Sequence, residues 1–285
     1  MTATSLSVEA PVVTEPGIGW EAVLSLTFEA RPERTVLGRT RRMGPLTVQQ
    51  PFYPENDVCH IYLLHPPGGI VGGDRLELDI NMEEKTHAMI TTPGAAKFYR
   101  SSGRKAVVHQ KFHLSPGAVL EWFPQETILF NGALADIQTT VECAPGSCFF
   151  SWDIMCLGQP ARNIRFDTGE LTSGLSIRMA GRPVLLDRFH IQGEQDLDLF
   201  PGLGGNPVAA SFFAGPVDPA LFESIRQKHD DPTQIFGITL LDGLLAARYL
   251  GKNPHTARRL FTNLWKDLRP VMTGKNICIP RIWNT

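Results

Sequence analysis

No run of 18 apolar residues occurs in the chain, so it offers no candidate for a membrane-spanning helix. No Lys or Arg precedes Arg31, and no apolar segment lies near the start, so the two marks of a secretory leader are missing. Cysteines are few and odd in number (Cys59, Cys143, Cys148, Cys156, Cys278), without the spacing of a disulfide framework. These absences point to a reduced, cytoplasmic protein. Charge of one sign is not in excess: a formal net charge of −2 argues against nucleic acid as a general partner. The nucleotide loops G-x-G-x-x-G and G-x-x-x-x-G-K-[ST], the hydrolase elbow and the zinc motif H-E-x-x-H are all lacking.

Helical patterns are scarce too. Against them stand 26 Gly and 22 Pro in 285 residues, a composition that tilts the class toward β. Period-two alternation marks strands at Ala22–Phe28 and Leu76–Met82, with others expected at 87–91, 105–114, 137–143, 148–156, 163–166, 175–179, 184–191 and 208–213. Ala144-Pro145-Gly146-Ser147 reads as a hairpin turn, with Cys143 and Cys148 as buried thiols across it. Only two helices are expected. Asp218 caps one at Pro219; Asn253 caps the other at Pro254, and Pro270 should end it. With no linker and no visible tandem repeat, the expectation is a loose tail over residues 1–16 and one β domain over 17–285.

The stretch around which the rest is arranged is His65-Pro-Pro-Gly-Gly-Ile-Val-Gly-Gly-Asp74. Proline fixes φ and lacks an N–H, while glycine alone accepts positive φ freely, so this is a shaped loop between strands. Gly68, Gly69, Gly72 and Gly73 either open backbone amides to a ligand or simply let two layers approach. His65, Asp74 and Glu126 are the acid/base or cation-contacting candidates. Cys59 and His60 are neighbours on a strand and point to opposite faces, so no tight metal site is expected from this group. His109 and His113 share a strand face with lysines and read as solvated. The acidic run Glu194, Asp196 and Asp198 lacks calcium-loop spacing and reads as loop charge.

Two further segments have the composition of partner-binding surface. Lys97, Tyr99 and Arg100 follow a Pro-Gly-Ala-Ala run; the same residues would equally serve a turn lying on apolar surface. From Arg248 to Arg281 eight basic residues face one acid, Asp267, and Arg258 and Arg259 lie on the outer face of the second helix. A basic end on an acidic body docks either on another macromolecule or on the chain's own acids.

The segments His65–Asp74, Thr91–Ser101, Glu121–Gly132 and Pro280–Thr285, with Gly44–Pro54 and Trp265–Pro270, resemble the signature segments of the urease accessory protein UreD (UreH) family. The resemblance runs from about Trp20 to Thr285. It implies a mostly β fold of layered, helically wound strands with two helices, and a non-enzymatic maturation chaperone. It also implies as partners UreF, the GTPase UreG through UreF, and urease apoprotein, with no nucleic acid or membrane. Nickel would be carried transiently through a polar internal passage, with no tightly bound cofactor; His65, Asp74 and Glu126 are the wall or mouth candidates. Two other readings remain: an enzyme built on His65 and Asp74, and a scaffold bridging UreF and urease without touching nickel.

Overall fold

The computed structural model describes residues 19–200, 202–230 and 232–284. The expected tail over 1–16 lies outside them. In chain order the strands are β1 (Glu21–Ala30), β2 (Thr35–Met43), β3 (Thr47–Val48), β4 (Cys59–Leu64), β5 (Arg75–Met82) and β6 (His87–Thr91). They continue with β7 (Ala96–Phe98), β8 (Ala106–Leu114), β9 (Val119–Phe123), β10 (Thr127–Leu129), β11 (Leu134–Cys143) and β12 (Cys148–Leu157). Then come β13 (Glu170–Met179), β14 (Arg182–Gln192), the short helix α1 (Gly193–Leu197), β15 (Val208–Gly215) and α2 (Pro219–His229). The hairpin strands β16 (Ile235–Leu241) and β17 (Leu244–Gly251) precede the long helix α3 (Pro254–Thr273).

The strands form a seven-stranded sheet, β14-β13-β11-β8-β5-β1-β2, and a ten-stranded sheet running from β16, β17 and β15 through β12, β9 and β6 to β4 and β3. From β4 to β13 most successive long strands swap sheets: β5, β8, β11 and β13 stack in parallel in the first, and β4, β6, β9 and β12 in the second. The chain is therefore wound like a coil, one strand per sheet per turn, in a single mostly β domain.

The coil turns back through three four-residue arches, Glu83–Thr86, Ser115–Ala118 and Ala144–Ser147. They stack in register, since Met82, Leu114 and Cys143 pair before them and His87, Val119 and Cys148 after them. Each has its left-handed residue at the third place: Lys85 (φ 58°), Gly117 (φ 71°) and Gly146 (φ 75°). This repeat is hidden in the sequence because only the backbone conformation recurs. It also corrects the hairpin expected at Ala144–Ser147: β11 and β12 belong to different sheets, so the turn is an arch. Cys143 and Cys148 are nonetheless buried free thiols.

One core lies between the sheets and a second between the ten-stranded sheet and α3. β12 feeds both, with Phe149, Met155 and Leu157 facing inward and Phe150, Trp152 and Ile154 facing α3. A strand covered on both sides has to be apolar at nearly every position, as Cys148–Leu157 is.

Asp218 and Asn253 cap α2 and α3 as expected, their side chains accepting backbone N–H bonds. Pro270 does not end α3. So near the C-terminus its missing N–H costs a single hydrogen bond, and the helix runs to Thr273 before Gly274 (φ 69°) closes it. Residues 163–166 form no strand; a 3-10 turn at Pro160–Arg162 and one bridge between Gln159 and Ile164 take their place. The acidic run is not a plain loop but contains α1, making three α-helices among the described residues. Asp196 accepts the Gln192 N–H at 2.6 Å and Asp198 pairs with Arg165 at 2.8 Å.

Candidate functional site

The loop from His65 to Asp74 is held by its last residue. The Asp74 carboxylate, almost wholly buried, accepts the backbone N–H of Val71 and that of Trp20, each at 2.8 Å. Asp74 thus closes the loop on itself and onto the start of β1. The glycines let neighbours approach closely. A Cβ on Gly69 would stand 2.0 Å from the Tyr99 ring, and one on Gly72 would stand 2.6 Å from the Arg104 carbonyl. Gly68 (φ 76°) and Gly73 (φ 100°) adopt left-handed backbone, which a side chain resists.

Between the sheets, beginning at this loop, lies a cavity of about 620 Å³. His65, Gly68, Gly69 and Lys97 line it, together with the polar side chains of Gln110, Thr139, Ser151 and Asp153. Burial pushes the His65 imidazole down, opposed by the nearby Asp74 charge. A second cavity of about 730 Å³ adjoins the first and shares Asp153, Ser173, Leu175 and Phe213 with it. At its far side Arg248 pairs with Asp187 at 2.8 Å, joining the two sheets. Asp153 is the one carboxylate among the described residues that lines both spaces. Burial pushes its carboxyl up to about 6, with only the Ile154 amide in opposition.

On the other side of the ten-stranded sheet a second polar group is built around Arg269 of α3. Its Nη1 and Nη2 donate to Glu55 at 2.7 and 2.8 Å, and its Nε lies 3.1 Å from both oxygens of Glu121. Trp265 Nε1 donates to Glu121 at 2.5 Å, while His87 and His60 stand 2.7 Å from Glu121 and Glu55. Burial opposes both carboxylates, but the hydrogen bonds from His60 and Arg269 outweigh it and hold Glu55 at about 2. His87, Arg269 and Trp265 hold Glu121 below the usual range as well.

A model of the UreD urease accessory protein family matches residues 21–284. The UreD family holds this chain. Among its relatives is the urease accessory protein UreD of Pseudomonas putida strain W619, 46% identical over 95% of this chain and 97% of that protein. UreD of Pseudomonas entomophila strain L48 is 47% identical over 94% and 95%, and UreD of Klebsiella aerogenes 41% over 94% and 97%. No helix among the described residues is long and apolar enough to cross a membrane.

In this chain the cavity gathers only some of the residues singled out by sequence. His65 and Lys97 line it. Tyr99 is partly exposed and packs edge-on against Phe130 at 4.8 Å; Arg100 is exposed, its stem resting on Gly132. Asp74 and Glu126 do not line it: Asp74 holds the loop and Glu126 pairs with Arg258 of α3. Arg259 is exposed. Four of the eight basic residues of the C-terminal region pair with the chain's own acids, Arg248 with Asp187, Arg258 with Glu126, Arg269 with Glu55 and Glu121, and Lys275 with Asp57. Asp153 and Glu121 were missed. Their signal was present: each is a single carboxylate inside an apolar strand, in Ser-Trp-Asp-Ile-Met and Val-Leu-Glu-Trp-Phe.

Proposed function

We propose that this chain is a maturation chaperone for urease: on urease apoprotein, with UreF and through it the GTPase UreG, it lets nickel reach the enzyme through the space between its two sheets. In this reading the chain turns over no substrate, acts in the cytoplasm, and treats nickel as cargo. Membership of the UreD family supports the role in maturation.

Asp153 carries the passage reading. One carboxylate facing two adjoining cavities, among hydroxyls from Ser151, Thr139 and Ser173, can take over part of a hydrated cation's shell without closing around it. A closed shell of soft ligands would trap the ion. With its carboxyl at about 6, Asp153 exchanges a proton for a cation near neutral pH at little cost.

The test is activation of urease apoprotein by nickel, bicarbonate and GTP in the presence of UreF, UreG and this chain. Asp153→Ala and a blocking Ser173→Phe are compared with wild type, and pull-down of the complex is measured alongside. Loss of activation with the complex intact is expected. Full activation by both variants overturns the passage and leaves a scaffold that bridges UreF and urease. An absence of binding to any of the three partners overturns the chaperone reading itself.

A further inference from the structure

The first cavity is walled mainly by apolar side chains, and both sheets contribute them. Leu76, Leu78, Val108 and Phe112 line it from β5 and β8, and Trp122 and Phe149 from β9 and β12. Its volume of about 620 Å³ falls within the roughly 300–1,000 Å³ of small-molecule sites, which are likewise apolar with a few placed polar groups. Water along such walls lacks partners, and an empty space forfeits contacts for every side chain around it. The walls therefore favour an occupant with an apolar body.

Exposed residues among the lining mark where the cavity opens: Pro66 and Gly68 on one loop, Pro93 and Gly94 on another. Three polar side chains of the lining belong to this end. His65 directly precedes Pro66. Lys97 is tied to the same loop, its carbonyl accepting the Ile70 N–H at 2.7 Å, and it pairs with Ile128 of β10 on its other side. Gln125 is held against the 92–94 turn, its backbone N–H donating to Thr92 Oγ1 at 2.8 Å.

These side chains are donors without acceptors. Gln125 is only 8% exposed, yet its side-chain amide has no hydrogen-bond partner in the chain. Lys97 is half-buried and has no carboxylate within ion-pair distance among the described residues. Burial of a polar group without a partner is costly, so an amide and an ammonium left this way await an anion. The carboxylate of the cavity, Asp153, is placed apart from them: it lines the second space as well, and none of the three does.

We propose that the first cavity binds a free medium-chain fatty acid, with its carboxylate at Lys97 and Gln125 and its tail between the sheets. The head gives Lys97 the counter-charge that the chain does not supply, and one of its oxygens accepts the Gln125 N–H. Burial keeps His65 neutral, so it adds at most a ring N–H and no charge. The tail covers the leucines and aromatic rings of the walls. This binding goes beyond the chaperone reading and does not rest on it, although the ligand occupies space that a passing ion would need.

The experiment titrates the full chain with cis-parinaric acid, read by fluorescence, and then displaces the probe with laurate, lauryl alcohol or acetate. Saturable binding of one probe per chain is expected, with displacement by laurate and none by acetate, which has no tail. Lys97→Met should weaken laurate by about tenfold, the worth of one charge-assisted contact, and leave lauryl alcohol unchanged. Gln125→Leu should weaken laurate as well. Val108→Phe, which fills the cavity, should weaken acid and alcohol alike; melting temperatures establish that each variant is folded. No saturable binding by the wild-type chain overturns the proposal, as does full binding by folded Val108→Phe, which would place the probe on the surface. Laurate affinity unchanged in both Lys97→Met and Gln125→Leu overturns the assignment of the head. Every readout is taken without nickel or partner proteins, so a failure of the nickel passage would leave these results unaltered.

Discussion

Arg269 and Glu121 meet as a fully buried ion pair, the guanidinium Nε 3.1 Å from each carboxylate oxygen at the interface of α3 and β9. Arg269 also grips Glu55 in the turn before β4, and its Nη1 reaches the Asn276 carbonyl just beyond the helix. One side chain therefore locks helix, sheet and C-terminal segment together. A buried pair adds little net stability over an apolar substitute, but breaking it strands a charge.

Arg269→Met should accordingly destabilise the protein by about 3–5 kcal/mol, and Arg269→Lys should rescue little of it, since a lysine cannot serve both carboxylates. Urea unfolding measures the cost. A loss below about 1 kcal/mol would mean that water reaches Glu121 readily.

Asp153 and pH form the second prediction. Its folded value of about 6 lies above the ordinary 3.8, so the native state keeps the proton longer than the unfolded chain. Its contribution to stability is then neutral below about pH 4, falls as pH rises toward 6, and stays unfavourable above. Asp153→Asn removes this penalty. The variant should gain on wild type by on the order of 2–3 kcal/mol between pH 4 and 7 while losing nickel delivery. A stability difference that does not vary with pH refutes the assignment.

Glu55 has the opposite sign. Held at about 2 against an ordinary 4.5, it contributes stability that is complete above about pH 4.5 and lost as pH falls toward 2. Glu55→Gln should be less stable at neutral pH and show a flatter acid limb in thermal melts taken from pH 6 to 2. Glu121, also held low, adds to the wild-type slope.

The glycines of the central loop should differ in their tolerance of alanine. Gly68 has open space around its Cβ position, so Gly68→Ala should cost only the left-handed backbone, about 1–2 kcal/mol. Gly69→Ala pushes on the Tyr99 ring, which is partly exposed and can turn aside. Gly72→Ala meets the Arg104 carbonyl at 2.6 Å and has no such escape. Melting temperatures should fall least for Gly68 or Gly69 and most for Gly72; a tolerant Gly72 would show that the loop and the 101–104 turn are not in contact in solution.

Much of this protein could be read from local chemistry. Alternation placed β5, since Leu76, Leu78, Ile80 and Met82 must share a buried face, and Asp218 and Asn253 announced their helices because a short side-chain oxygen satisfies the first free N–H groups. The Pro-Gly loop from His65 was visible because so few backbone conformations suit it. Other elements were quiet: β2 lies in a basic stretch, and the β16–β17 hairpin turns at Asp242-Gly243 between strands with little alternation.

The tertiary structure decided what local pattern leaves open. A Pro-Gly turn at Ala144–Ser147 suits a hairpin and an arch alike, and only the stacking of Met82 on Leu114 and of Leu114 on Cys143 selects the arch. Period two says which residues share a face, not what that face meets. So Asp153 turned out to look into a cavity, while Glu121, equally isolated in its strand, found Arg269. Glu55, His60 and Cys278 are brought together only when α3 returns across the sheet, because contacts between residues more than two hundred positions apart leave no trace in local spacing.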